Sequence, residues 1–233
     1  MKLHSLLFTL VVITVMTSCK SGKHLFILSG QSNMARLDPS ISFTPTIEDK
    51  YCKDNVIIIK NALGGQPMRR WYRDWKSPVK DKFKAQADLY DSLMAQVNPA
   101  IEKAKLKTIT FIWMQGERDA REALGDVYEE SLLGLYDQLS RDLGRKDVNF
   151  IIGRLSDNGM DNDTFPHWTK IRDIQVRVGE SNPRFGWIDT DDLNDGMRGD
   201  TEIHNDLHMA DEGYRIMGER FAKKAIELIE KND

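Results

Sequence analysis

The stretch His24-Leu25-Phe26-Ile27-Leu28-Ser29-Gly30-Gln31-Ser32-Asn33-Met34 decides the fold. Its apolar run does not alternate with polar residues, which suits a strand buried on both faces of a parallel sheet. Ser32 then leaves the end of that strand through a turn into a helix. A hydroxyl placed there projects from the sheet edge, with its own backbone N–H facing the same space. Serine also caps helices, so the position alone does not settle its role. Gly30-Gln31-Ser32-Asn33-Met34 lacks the second glycine of the Gly-x-Ser-x-Gly nucleophile elbow, which disfavours an α/β-hydrolase fold.

Four further runs have the character of the first. They are Asn55–Lys60, Thr108–Met114, Val148–Gly153 and Arg184–Asp189. Amphipathic segments lie between them. Phe83–Lys105 is one, expected to split or bend at Pro99. Asp126–Leu143, Trp168–Val178 and Ala210–Ile229 are the others. Five rounds of strand and helix predict an α/β protein, a three-layer α/β/α sandwich with a central five-stranded parallel sheet. Pro39–Pro45 and Gln66–Pro78 read as polar, aromatic loops. Both follow strand C-terminal ends, where open α/β sheets bind ligands.

The first residues read as an export signal rather than as part of the fold. A basic start, an apolar stretch from Leu6 to Met16, and Thr17-Ser18 before Cys19 give this pattern. A cysteine directly after small residues resembles a bacterial lipoprotein site. Residues 1–18 are therefore expected to be a signal peptide, with Cys19 lipidated, residues 19–23 a tether and residues 24–233 a single domain. The implied location is the periplasm or cell envelope of a bacterium, with contact to the membrane only through that anchor. With the leader removed and Cys19 taken up by the anchor, Cys52 alone remains, and one cysteine cannot form an internal disulfide, so the fold is expected to rest on its core. A formal net charge of −3, with Lys and Arg dispersed, gives no reason to expect nucleic acid.

Three more blocks carry chemistry. Gly64-Gly65 follows the second strand, where glycine lets an amide N–H approach a substrate oxygen. Gln115-Gly116-Glu117-Arg118-Asp119 follows the third. There Gln115 can aim its amide into the same crevice, while Glu117 and Asp119 orient neighbours; acidic residues at a helix start suit the dipole as well. Asn205-Asp206-Leu207-His208 precedes the last helix. A loop histidine there is placed to act as a base, with a nearby carboxylate on its other ring nitrogen.

Together these blocks resemble the SGNH (GDSL-like) hydrolases, and more narrowly their branch of sialate O-acetylesterases and acetylxylan esterases. The resemblance runs from Leu25 to about Phe221, with all blocks in order. It implies Ser32 as nucleophile, His208 as base, and an oxyanion hole from the backbone N–H groups of Ser32 and Gly65 with the Gln115 side chain. Asn33, Glu117 and Asp119 would support the site. The family's acid stands three residues before the histidine, which here is Asn205. Asp206, two residues before, is the preferred acid, with Asn205, Glu117 and Asp195 as alternatives. The implied reaction removes O-acetyl groups from carbohydrates through an acyl-enzyme, without metal or organic cofactor. Arg69, with Arg70 beside it, would meet an acidic sugar, and Trp71 and Trp75 would pack against a sugar ring. Two rivals stand beside this reading. One is a carbohydrate-binding surface lipoprotein without catalysis. The other is a metal hydrolase using His204 and His208, four residues apart.

Overall fold

The computed structural model describes residues 22–80, 82–160 and 163–232. The signal peptide, Cys19 and most of the tether lie outside the described residues. The chain runs β1 (Lys23–Gly30), α1 (Ser32–Arg36), α2 (Phe43–Tyr51), β2 (Val56–Ala62), α3 (Asp88–Ile101), β3 (Leu106–Met114), α4 (Glu117–Arg121), α5 (Gly125–Asp142), β4 (Asn149–Gly153), α6 (Trp168–Glu180), β5 (Phe185–Ile188), β6 (Gly196–Arg198), β7 (Thr201–Ile203) and α7 (Asp211–Asn232). The five long strands form one sheet in the order β2-β1-β3-β4-β5, and every neighbouring pair is parallel. No helix among the described residues is long and apolar enough to cross a membrane.

The unbroken apolar runs have a simple cause. Successive side chains in a strand point to opposite faces, and here both faces are covered. Leu25 and Ile27 of β1, with Ile109, Phe111 and Trp113 of β3, join a core that includes α3, α5 and α6. Phe26 and Leu28, with Ile112 and Met114, pack instead with Phe43 and Ile47 of α2 and Met217 and Phe221 of α7. One strand thus feeds two cores, and neither face of the sheet can tolerate a polar alternation.

The differences from the sequence reading are local. Residues 83–87 are not helical: Ala87 has φ +56°, and the N–H groups of Gln86 and Ala87 both donate to the Arg69 carbonyl. Pro99 does not split α3, which continues to Ile101; the proline removes only the N–H that would donate to the Ala95 carbonyl, and the helix ends two residues later. The loop expected at Pro39–Pro45 contains the start of α2. Pro45 is that helix's third residue, still within the first turn, where no backbone N–H has an intrahelical acceptor. The antiparallel β6–β7 hairpin has no counterpart among the expected elements, and it bears on the site.

Candidate active site

Glycine at position 30 makes the β1–α1 joint. Its φ of +143° bends the chain off the strand, and a Cβ there would stand 2.0 Å from the Met114 carbonyl oxygen on β3. That carbonyl also accepts the Gln31 N–H at 2.9 Å. The chain therefore turns tightly against the central strand, and Ser32 emerges as the first residue of α1. The neighbouring β2 end is tied to the same joint, with the Leu63 N–H donating to the Gly30 carbonyl at 3.1 Å. A Cβ on Gly64 would sit 3.5 Å from that of Ser32, so the Gly64–Gly65 turn is held beside the serine. Gly65, at φ +71°, has a left-handed conformation that glycine adopts without strain.

His208 arrives from the other end of the chain. Its loop is pinned by Asp206 N–H to the Asn194 carbonyl at 3.1 Å and Ala210 N–H to the Leu193 carbonyl at 3.0 Å. Asn33 then stitches the two ends together. Its amide donates to the Leu207 carbonyl at 3.1 Å and to Glu117 Oε1 at 3.0 Å, while its oxygen accepts the Tyr214 hydroxyl at 2.9 Å. Ser32, Gly64, Gly65, Glu117 and His208 line one open cavity of about 390 Å³ at the C-terminal edge of the sheet.

Several expectations need correction. The Gln115 side chain is fully buried, and its amide donates to Asp119 Oδ2 at 2.5 Å and to the Gln66 carbonyl at 3.2 Å. Both amide hydrogens are engaged, so Gln115 does not serve as an oxyanion donor in this geometry. Its partner Asp119 also accepts the Met68 N–H at 2.9 Å, and so fixes the loop after Gly65. Trp71 is fully buried and Trp75 is 5% exposed; Trp71 packs edge-on against Trp113 in the core. Neither indole is available to a sugar. Arg69 pairs with Glu122 and lies over Phe83, and Arg70 pairs with Asp88. The cavity is instead lined by Arg36, Arg118, Arg121 and Phe165. The sequence did carry a signal for two of them. Arg36 is four residues after Ser32 and Arg121 four after Glu117, a spacing that puts helical neighbours on one face.

Asp206 shares the turn with His208 but is not bonded to its ring. Its carboxylate accepts Arg198 of β6 at 3.0 and 3.3 Å, and the His208 backbone N–H at 2.9 Å. Arg198 also donates to the His208 carbonyl at 3.2 Å. Among the alternatives, Asn205 turns its side-chain oxygen to Asn194, at 3.0 Å, from a backbone φ of +43°. Asp195 accepts the Asn205 N–H at 2.7 Å. His204 is exposed, 3.7 Å from the carboxylates of Asp195 and Glu202, and is not part of the cavity wall.

Burial and charge tune the groups that remain. Burial, then the positive charge of Arg36, push the His208 pKa below its ordinary value; Asp206 opposes this and Arg198 adds to it. Arg36→Gln should therefore move the acid limb of activity on a neutral ester to higher pH, because the neutral base then survives only at higher pH. A kcat/KM profile with p-nitrophenyl acetate checks this, and an unmoved limb would contradict it. Burial raises Glu117 to about 7 and Asp119 to about 6. Both carboxyls hold a proton more tightly folded than unfolded. The stability this contributes is present below the unfolded carboxyl pKa and is lost as pH rises through about 6 and 7.

A parallel five-stranded sandwich with a serine after β1 and a histidine before the last helix is the arrangement that the resemblance to SGNH-like hydrolases implies. The fold is shared with a protein of Arabidopsis thaliana (17% identity, 88% of this chain and 98% of that one, TM-score 0.66). NanS is similar too (14% identity, 91% and 99% covered, TM-score 0.61), as is a carbohydrate acetylesterase from Xanthomonas citri (16% identity, 89% and 56% covered, TM-score 0.62). No curated protein matches in sequence. The family model described as carbohydrate esterase, sialic acid-specific acetylesterase matches residues 35–227, and the chain belongs to that family. It is thus a carbohydrate acetylesterase, acting on acetylated carbohydrate. Ser32 lies just before the matched residues.

Proposed function

We propose that this chain is a serine esterase that removes O-acetyl groups from sugars through an acetyl-enzyme on Ser32. One observation carries the reading: Ser32 and His208, from opposite ends of the chain, line the same cavity beside Gly65. Ser32 Oγ attacks the acetyl carbonyl as His208 takes its proton. The backbone N–H groups of Ser32 and Gly65 receive the developing oxyanion. The C–O bond to the sugar then breaks, and His208 returns the proton to the departing sugar oxygen. His208 then takes a proton from water as its oxygen attacks the acetyl carbon; the C–O bond to Ser32 breaks, His208 returns the proton to Ser32 Oγ, and acetate leaves. The family's description supports sialic acid as the sugar, with the acetylated sugars of plant polysaccharides as the alternative. A fluorophosphonate probe tests the activated serine. It should label Ser32 in the wild type and fail to label the His208→Ala protein. Hydrolysis by a wild-type enzyme that resists the probe would count against the mechanism.

Asp206 acts here through charge and loop geometry rather than through a ring hydrogen bond. Asp206→Asn should lower kcat by about 10- to 100-fold, short of the roughly 10⁴-fold loss of a ring-bonded acid. It should also move the acid limb to lower pH, since Asp206 favours the imidazolium. Arg198→Met should lower kcat too but move the limb to higher pH. Loss of loop order alone would move neither limb.

Export and lipidation belong to the same reading. The small residues before Cys19 and the polar Lys20-Ser21-Gly22 after it support a lipid anchor in the bacterial envelope. Cells fed a fatty-acid analogue should label the wild-type protein but not Cys19→Ala. An unlabelled wild type would leave plain secretion.

A further inference from the structure

The cavity carries positive charge that no carboxylate among the described residues pairs with. Most arginines of this chain are held in ion pairs, and Arg118 on the cavity wall is one of them, paired with Glu122. Arg36 and Arg121 differ. Both are exposed, both line the cavity, and neither guanidinium has an ion-pair or hydrogen-bond partner among the described residues. The acids nearby are committed elsewhere. Glu122 is shared by Arg69 and Arg118. Glu117 is buried on Asn33, and its burial holds back ionisation.

The two side chains converge for a structural reason. Arg36 stands one helical turn beyond Ser32 on α1, and Arg121 one turn beyond Glu117 on α4. The β1 and β3 strands that precede these helices are paired neighbours in the sheet. Two guanidinium groups therefore flank the same opening, one approached from the serine side and one from the Glu117 side. Phe165 adds an apolar wall. A guanidinium is a planar, permanently charged donor whose geometry matches a carboxylate. An apolar wall beside it suits the C–H face of a sugar ring.

We infer that Arg36 and Arg121 form an anion subsite that binds the carboxylate of an acidic sugar while its acetyl ester lies at Ser32. This rests on the esterase reading above for the ester, but not for the anion. Recognition is of the carboxylate itself, whether the sugar is a nonulosonic acid or a uronic acid. It replaces the role first expected of Arg69 and Arg70, whose guanidinium groups are already paired.

The test separates binding from catalysis. N-acetylneuraminic acid, glucuronic acid and the methyl ester of each are titrated into the full protein by calorimetry or ligand-observed NMR. At least one free acid should bind about tenfold or more tightly than its methyl ester, since losing a hydrogen-bonded charge contact has about that effect. Added salt should narrow the gap, because both arginines are exposed. The Arg36→Gln/Arg121→Gln double variant should bind acid and ester alike. A preference for one acid identifies the sugar class. Equal binding of acid and ester to the wild type, no binding of either pair, or a preference that survives the double substitution would each overturn the subsite. In kinetics, the kcat/KM ratio of an acidic over a neutral acetylated sugar should fall about tenfold or more in the double variant, mainly through KM. Failure of the wild type to release acetate from any ester would sink the esterase mechanism but leave the binding result standing.

Discussion

Ser32→Ala should lower kcat for acetate release by about four to six orders of magnitude while leaving the protein folded. The substitution removes one oxygen from a residue that is only partly buried and makes no fold-holding hydrogen bond among the described residues. In the proposed mechanism, what disappears is the acceptor of the acetyl group. His208→Ala should fall by a similar amount, because an unassisted hydroxyl is a weak nucleophile near neutral pH. The double variant should be little worse than either single one, since nucleophile and base act as a unit. Circular dichroism and thermal melting would confirm that the fold survives. A Ser32→Ala enzyme with more than a hundredth of wild-type activity would refute the assignment.

Gly30→Ala should be the most damaging small substitution in the fold. A methyl group there would lie 2.0 Å from the Met114 carbonyl oxygen and 2.7 Å from its carbon. The obstacle is backbone of the central strand β3, so no side-chain rotation relieves it. The positive φ adds a second penalty. A loss of about 4 kcal/mol or more is expected, enough to lower Tm by roughly 10 °C in a domain of this size. Gly144→Ala is the control. It too has positive φ, +63°, but a Cβ there meets nothing within 4 Å. It should cost only about 1 kcal/mol. If the two variants melt together, steric contact with β3 is not what requires glycine at position 30.

Much of the fold could be read from the chain because the sheet is buried on both faces. The runs around Phe26, Ile112 and Ile151 are apolar throughout for that reason. What escaped notice was short or disguised. The strands β6 and β7 have three residues each, too few for any period to register. The loop expected at Pro39–Pro45 hides the start of α2, where Pro45 stands in the first turn that tolerates proline. Ser32 and His208 were legible because their neighbours form a recognisable order of motifs. The wall of the cavity was legible only through the four-residue spacings that place Arg36 and Arg121. Trp71 and Trp75 sit in a polar stretch, and only the three-dimensional path shows that the loop drives both indoles inward. Gln115 follows a buried strand directly and stays buried with it, its amide turned to Asp119 and Gln66. Whether an arginine is paired depends on which carboxylate folding brings near, and linear spacing carries little of that information.

The hydrogen bond from Tyr214 to Asn33 joins the last helix to the residue beside Ser32, the proposed nucleophile. During synthesis, Ser32 leaves the ribosome long before His208 and α7 exist to meet it. A nascent or truncated chain therefore carries a serine with no base, behind a joint that α7 has not yet closed. Activity should appear only once the whole polypeptide has been completed and folded, so the order of synthesis itself keeps the unfinished enzyme silent.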